Sequence, residues 1–458
     1  MADEKVPIRY STLTGAQIQV GAAFTSLFGR DPDFYARVPG RVNLIGEHID
    51  YCGYGVCPMA LNQHIFIAAF VTDSDRTLEL RNFDAKYEKY RCDLNDIEIT
   101  VEGKAPHWYQ YFLCGVKGVL EALPMENVKG LRVMVSGNVP QGAGLSSSSA
   151  LVSAAALTAA YAFGMPLHKE KLAQLCANSE RYIGTQGGGM DQAIAFLATD
   201  GCAKLIEFDP LKATDVRLPK GAVFVIAHSM TNLNKAATGD FNCRVVECRL
   251  AAQIMAKRRG LDWAQLKRLG ELQKALQLDL QEMIALVETV LDKESYTKVD
   301  VLSELDTAAE QLEVTSLTPN TKHIDCFKLK QRALHVFNEA LRVRKFYETC
   351  QKGSGDDDSL ATLGTLMSES HDSLRDLYEC SHPQLDRIVT LSKGLTLGTR
   401  LTGAGWGGCT VSLVAPDNVH RYVEFLKENF YAPLGVKSDF EDIVFPTFPE
   451  WGAQILLC

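Results

Sequence analysis

The chain has 458 residues, 46% apolar and 22% charged, with a formal net charge of −9. This composition suits a soluble globular protein of two or three domains and lacks the basic excess of a nucleic-acid binder. No run reaches the roughly 18 apolar residues of a membrane span, and the charged start MADEKVPIRY has no apolar leader core. A cytoplasmic protein without nucleic-acid or membrane partners is therefore expected. The 13 cysteines are scattered with no CxxC pair, which predicts free thiols rather than a zinc site.

In chain order, FYARVPGRVNLIG (34–46) is strand-like around a Pro-Gly break, and QHIFIAAFV (63–71) reads as a strand. LRVMVSGNVP alternates Leu131, Val133 and Val135 with other residues, the pattern of a half-buried strand. It runs into PQGAGLSSSSALV (140–152), after which an Ala-rich run predicts a helix capped by serine and stopped by Gly164 and Pro166. A second helix is expected over 168–183, followed by the glycine run TQGGGMDQ. CAKLIEFDP and GAVFVIAHS predict two further strands. From about 241 to 394 the pattern is mostly helical, including DWAQLKRLGELQKALQL and FKLKQRALHVFNEALRVRKFYETC. The polar break KGSGDDDS (352–359) reads as a solvated loop rather than a metal site, because Gly and Ser flank its aspartates. RLTGAGWGGCTVSLVAP is a glycine-rich turn feeding a strand, with a helix expected over 419–429. The change from β-rich to helical pattern places a boundary near 215, dividing 1–215 from 216–458.

Four motifs carry chemistry. The strand, glycine turn and helix start at 140–152 bring free backbone N–H groups and a helix dipole to one spot, which makes an anion site without lysine. Gly142 and Gly144 let the backbone approach closely, and the serine hydroxyls suit phosphate or magnesium. A plain serine-capped helix fits this motif equally well. PGRVNLIGEHIDY (39–51) gathers Arg41, Glu47, His48 and Asp50 among apolar neighbours. Such a buried polar cluster needs partners, which sugar hydroxyls, a salt-bridge network or a metal would supply. GGGMDQ (187–192) aims Asp191 from a glycine loop, either at a ligand or as a helix cap. LTGAGWGGC (401–409) suits tight packing against a ligand or the first loop, or a simple turn into a strand.

Together these motifs are similar to those of the GHMP kinase family. PGRVNLIGEHIDY resembles the galactokinase signature, and PQGAGLSSSSA and LTGAGWGGC resemble the family's second and third motifs, in the same order. DYCGYGVCPMA, HWYQYFLCGVKG, SERYIGTQGGGMDQ and NKAATGDFNCRVVECRLAA resemble the N-acetylgalactosamine kinase branch. Galactokinases tend to have Asn where this chain has Cys52, and a sugar-contacting Tyr where it has Phe241. Loss of that hydroxyl removes a polar contact and leaves room at C2 of the sugar.

The resemblance implies an α/β (α+β), two-lobed fold with a ferredoxin-like C-terminal lobe carrying extra helices and an active site in the cleft. It implies ATP-dependent phosphorylation of the C1 hydroxyl of N-acetylgalactosamine, more weakly of galactose. A galactokinase preferring galactose and a non-catalytic sugar and ATP sensor are the alternatives. Asp191 is implied as the base, with Arg41 keeping it ionised and offsetting phosphoryl charge. Glu47, His48, Asp50 and Gly188 match sugar-binding positions. Gly144, Ser146, Ser147 and Ser148 match the phosphate loop, Asn234 and Lys235 a nucleotide contact, and Trp108 the aromatic residue beside adenine. Ser147 and Glu180 are the expected magnesium ligands. A monomer is expected, with sugar and ATP as its only partners.

Overall fold

The computed structural model describes residues 4–101, 105–231, 239–352, 357–437 and 440–458. Asn234, Lys235 and residues 353–356 of the KGSGDDDS break lie outside the described residues. The chain forms two compact units, one of Met1–Val42, Met59–Ala203 and Phe448–Cys458, the other of Asn43–Pro58 and Lys204–Thr447. The main crossing, at 203/204, lies near the compositional change at 215. The sequence reading of two successive halves omits two exchanges: the signature segment Asn43–Pro58 and the returning tail Phe448–Cys458. Strand pairing causes the second, because Gln454–Leu457 is hydrogen-bonded to Ile8–Tyr10 and to Phe34–Ile45.

The first unit is built on a mixed seven-stranded sheet. Its order is Ile8–Tyr10, Gln454–Leu457, Phe34–Ile45, Cys57–Thr72, Gly130–Gly137, Thr77–Asn82, Tyr90–Asp93. Phe34–Ile45 runs unbroken through Pro39-Gly40, contrary to the expected break. A Cβ on Gly40 would lie 2.8 Å from the Leu145 carbonyl oxygen, so the glycine serves close approach rather than a turn. In helix Ser147–Ala162 every residue from Ser149 to Ala160 is buried, which explains its lack of an amphipathic stripe. It lies against helix Trp108–Glu121 so closely that a Cβ on Gly115 would meet the Val152 carbonyl oxygen at 2.2 Å. The second predicted helix ends at Ser179, and Glu180–Ile183 form a tighter turn stopped by left-handed Gly184.

The second unit carries an antiparallel sheet in the order Gly398–Thr402, Cys409–Val414, Val223–His228, Val444–Thr447. Helices Asp357–Asp376 and Pro383–Ser392 precede its second strand, and Val419–Leu426 precedes its fourth. This is the strand–helix–strand–strand–helix–strand order of a ferredoxin-like layer, as expected. Val225, Ala227, Ile388, Val414, Tyr422 and Phe430 lie in its core. The final helix turns at Lys427–Tyr431 into a wider π turn. The extra helices include Asp240–Arg258 and Leu329–Gln351. DWAQLKRLGELQKALQL forms two pieces, a turn at Trp263–Gln265 and a helix Leu269–Leu276. There Gly270 packs on backbone, with a Cβ at that position 3.0 Å from the Cys52 carbonyl oxygen. All 13 cysteines are free, and no helix among the described residues is long and apolar enough to cross a membrane.

Two buried titratable groups tie this helical core to pH. Burial pushes the His335 imidazole down from 6.5 to about 4; its ring nitrogens contact Ser373 Oγ at 2.8 Å and the Glu47 carbonyl at 3.1 Å. Burial pushes the Glu339 carboxyl up, but Arg342, His335, Arg400 and the Ser370 hydroxyl outweigh it and hold it near 2. From pH 6.5 down to 4 the unfolded chain binds the His335 proton and the folded chain does not. Stability from this group is thus lost as pH falls through that window, by about 2 kcal/mol at pH 5. Below 4.5 the Glu339 contribution is lost as well. Denaturant melts at pH 7 and 5 should show this fall, and His335→Gln should flatten it. An equal slope in both proteins would clear His335 of the effect.

Candidate active site

In the first unit, backbone proximity assembles the polar cluster. The Arg41 amide donates to the Leu145 carbonyl at 3.2 Å, which sets Phe34–Ile45 against the serine loop. The Arg41 side chain is 2% exposed and points into the loop. Its Nη1 donates to the Gly144 carbonyl at 2.5 Å, while Nε and Nη2 both lie 2.8 Å from Asp191 Oδ1. Asp191 stands in the first turn of helix Met190–Leu197, after Gly189 in a left-handed conformation. Sequence reasoning thus named a pair that the structure joins. Gly188 is half-buried in the loop just before that helix.

Ser146 is not a capping serine. It precedes helix Ser147–Ala162 at φ 61°, makes no side-chain cap bond, and its buried Oγ has no hydrogen-bond partner among the described residues. A hydroxyl held in that state at a helix N-terminus fits an anionic ligand, as the phosphates of ATP would be. Gly142 and Gly144 also have positive φ, as the anion-site reading required. Ser149, which sequence reasoning left out of the site, bonds Glu180 Oε2 at 2.8 Å and lies 3.3 Å from Asp191 Oδ2. Its signal was present as the fourth serine of the run. Ser148 Oγ reaches Glu180 Oε1 at 3.4 Å, and Gln192 Nε2 also donates to that carboxylate. The hydroxyls gathered on Glu180 are therefore those of Ser148 and Ser149, rather than Ser147, the first residue of the helix.

No cluster of three or more His, Cys, Asp or Glu suited to a metal occurs among the described residues. Glu180 with serine hydroxyls fits a magnesium ion held mainly by ligand phosphates and water, as that ion prefers. Trp108 is the first residue of helix Trp108–Glu121. Burial, then the Glu180 carboxylate, pushes up both the Tyr111 hydroxyl and the Cys114 thiol, within the first two turns of helix Trp108–Glu121. Glu180 also bonds the first turn of Ser147–Ala162. Trp108 is only 9% exposed, and its Nε1 donates to the Glu88 carbonyl at 3.0 Å.

In the second unit the signature residues find protein partners. Glu47 is 2% exposed, and its Oε1 accepts the Gly403 amide at 2.7 Å and the Thr402 hydroxyl at 3.2 Å. It fastens the first motif to the third. His48, left-handed at φ 63°, contacts the Ala404 carbonyl through Nε2 at 2.9 Å and the Tyr51 hydroxyl through Nδ1 at 2.7 Å. The carbonyl can only accept, so Nε2 carries the proton and Nδ1 accepts from Tyr51. Tyr51 in turn meets the Tyr378 hydroxyl at 2.6 Å, and Tyr378 meets Cys248 Sγ at 3.2 Å. Burial holds both tyrosines protonated, well above their usual range. Asp50, half-buried, begins the turn Asp50–Cys52. Phe241 is 7% exposed, with its ring 5.6 Å from that of His48.

Residues 22–70 match the Galactokinase galactose-binding signature, 110–199 the GHMP kinases N terminal domain and 352–432 the GHMP kinases C terminal domain. A Dictyostelium discoideum galactokinase is 42% identical over 90% of this chain and 87% of its own length. A Saccharomyces cerevisiae galactokinase is 34% identical over 94% and 92%. Among solved structures, Lactococcus lactis galactokinase complexed with galactose aligns with a TM-score of 0.76 at 25% identity, covering 96% of this chain and 100% of that one. Methanococcus jannaschii mevalonate kinase shares the fold at a TM-score of 0.55 and 18% identity, over 91% of this chain and 98% of that one. With its own serine loop, its Arg41–Asp191 pair and these relatives, the chain belongs to the galactokinase family of GHMP kinases.

Proposed function

We propose that the protein transfers the γ-phosphoryl group of ATP to the C1 hydroxyl of a galactose-configured sugar. The observation that carries this reading is the Asp191 carboxylate, clasped by Arg41 at 2.8 Å and set beside the serine loop. A buried guanidinium favours the ionised carboxylate, the form that accepts a proton. Asp191 takes the proton of the C1 hydroxyl as its oxygen bonds to the γ-phosphorus. The bond from that phosphorus to the β–γ bridging oxygen breaks, and ADP leaves. Arg41 offsets charge on the transferring group. The loop N–H groups at Gly144, Ser146, Ser147 and Ser148 hold phosphate oxygens, with Trp108 towards the base. Glu180 and a loop serine, Ser147 by the resemblance, would hold magnesium, which would supply charge neutralisation on the phosphates. Glu47 and His48 shape the sugar site through their contacts to residues 402–404, and Asp50 and the Gly188 backbone contribute to sugar recognition. A sensor that merely binds would need neither a base nor a phosphate-facing cation.

The names of the relatives favour galactose over the N-acetylgalactosamine expected from the sequence. One observation keeps the second sugar as an alternative reading. Phe241 packs an apolar ring beside His48 where a tyrosine hydroxyl is expected in galactokinases, and such a site discriminates weakly against an added substituent. ADP release measured with ATP, magnesium and each sugar decides. Higher kcat/KM on galactose supports the first reading; higher kcat/KM on N-acetylgalactosamine replaces it with the second. No turnover on either sugar, with sugar binding retained, would leave the sensor. Phe241→Tyr is expected to shift the ratio towards galactose by about tenfold, the scale of one discriminating polar contact. An unchanged ratio would remove Phe241 from specificity.

A further inference from the structure

Three of the four motifs share one anomaly. Each holds a non-glycine residue in the left-handed region: His48 at φ 63°, Ser146 at 61° and Trp406 at 52°. For a bulky residue that conformation costs energy and persists where the surroundings enforce it, often at ligand sites. Ser146 and His48 belong to motifs already given work. Trp406 does not.

The surroundings of Trp406 are specific. Gly405, Gly407 and Gly408 beside it also have positive φ. Its amide donates to the Cys380 carbonyl at 2.6 Å, and the Gly408 amide donates to the Thr231 carbonyl at 2.7 Å. Both fix the loop by backbone alone and leave the indole undirected. Of residues 401–410, Trp406 alone is not buried. An ordinary core residue would show the opposite pattern. Its ring stands edge-on to His48 at 5.9 Å, and the Arg244 guanidinium lies 5.6 Å from the ring centroid. Phe241 packs on the same imidazole at 5.6 Å. The imidazole nitrogens meet protein groups, so what His48 adds here is the support of two aromatic rings.

We infer that Trp406 is a sugar-contacting residue whose indole, with Phe241, forms the apolar wall of the sugar site beside His48. This rests on the sugar-kinase reading above. A galactose-configured pyranose has an axial 4-hydroxyl on one face, so its C3, C4 and C5 hydrogens form an apolar patch on the other. A flat indole is the side chain suited to that patch. In the gluco configuration the 4-hydroxyl is equatorial and the patch is interrupted. The wall thus selects the configuration at C4, while Asp50 and the Gly188 backbone read the hydroxyls.

The test uses the full chain with Trp406→Ala and Trp406→Phe. The Ala variant should raise KM for the preferred sugar about tenfold, the scale of one aromatic contact, with KM for ATP unchanged. Phe should restore most of the loss. An unchanged sugar KM in a folded Ala variant overturns the assignment. Should the Ala variant not fold, tryptophan emission decides: a sugar-dependent change in the wild type should vanish in Trp406→Phe, and its full retention overturns the assignment. Calorimetric sugar binding separates this inference from its parent. A wild type that binds sugar without turnover sinks the kinase reading, yet weaker binding by Trp406→Ala still upholds the wall, and equal binding sinks it.

Discussion

Asp191→Asn is expected to lower kcat by about 10²–10⁴-fold, the usual worth of a positioned general base. The substitution keeps the size of the side chain and removes its ability to hold a proton. KM for ATP should change little, because the loop N–H groups and hydroxyls bind phosphate independently of it. Stability should fall as well. Arg41 is 2% exposed, and loss of the countercharge leaves its guanidinium buried with only neutral partners such as the Gly144 carbonyl. The kinetic loss therefore has to be read on protein that still binds ATP, which calorimetry with ATP and magnesium establishes. Wild-type turnover by the variant would exclude Asp191 as the base. Loss of ATP binding together with turnover would instead mark it as a structural partner of Arg41.

Gly115→Ala is expected to damage stability and nucleotide binding together. The new methyl would stand 2.2 Å from the Val152 carbonyl oxygen and 2.7 Å from the Ala156 amide nitrogen. Both are backbone atoms of a helix buried on every side, so neither can swing away, and the two helices must part. Overpacking of this kind costs about 1–3 kcal/mol, and rigid backbone on the receiving side argues for the upper end. A melting temperature lower by about 5 °C or more should follow. The same two helices present their N-termini at the serine loop and at Trp108, so KM for ATP should rise while KM for sugar moves less. An unaltered melting temperature would show that the helix pair yields more readily than its geometry indicates.

Elements with their own local signal, whether alternation, an apolar run or an Ala-rich stretch, were legible in the sequence. The strands Gly130–Gly137 and Val223–His228 and the helices Ser147–Ala162 and Leu329–Gln351 fall where the pattern placed them. The failures share a cause: the deciding partner is far away in the chain. Pro39-Gly40 looks like a break until the Leu145 carbonyl is seen against Gly40. The polar cluster Glu47 and His48 needed partners that local pattern does not name, and those seen lie at Thr402, Gly403 and Ala404, some 355 residues on. Arg41 and Asp191 are 150 residues apart, and only the family resemblance paired them. Ser149 was visible as a serine, but its role depends on Glu180 and Asp191 arriving beside it. Asn234 and Lys235 lie outside the described residues, and their nucleotide role stands as an expectation.

The strand Gln454–Leu457 sits in the sheet order between Ile8–Tyr10 and Phe34–Ile45, the strand that carries Arg41. Leu456 pairs with Tyr35, more than four hundred residues earlier. On a translating ribosome, at about 5–20 residues per second, Phe34–Ile45 therefore waits on the order of tens of seconds for this neighbour. Through that interval it offers an open apolar edge of the kind that aggregates. The first unit cannot close its sheet as it emerges, although most of its residues come early. Chaperone dependence during synthesis, and sensitivity to truncation at the last strand, follow from this order of arrival.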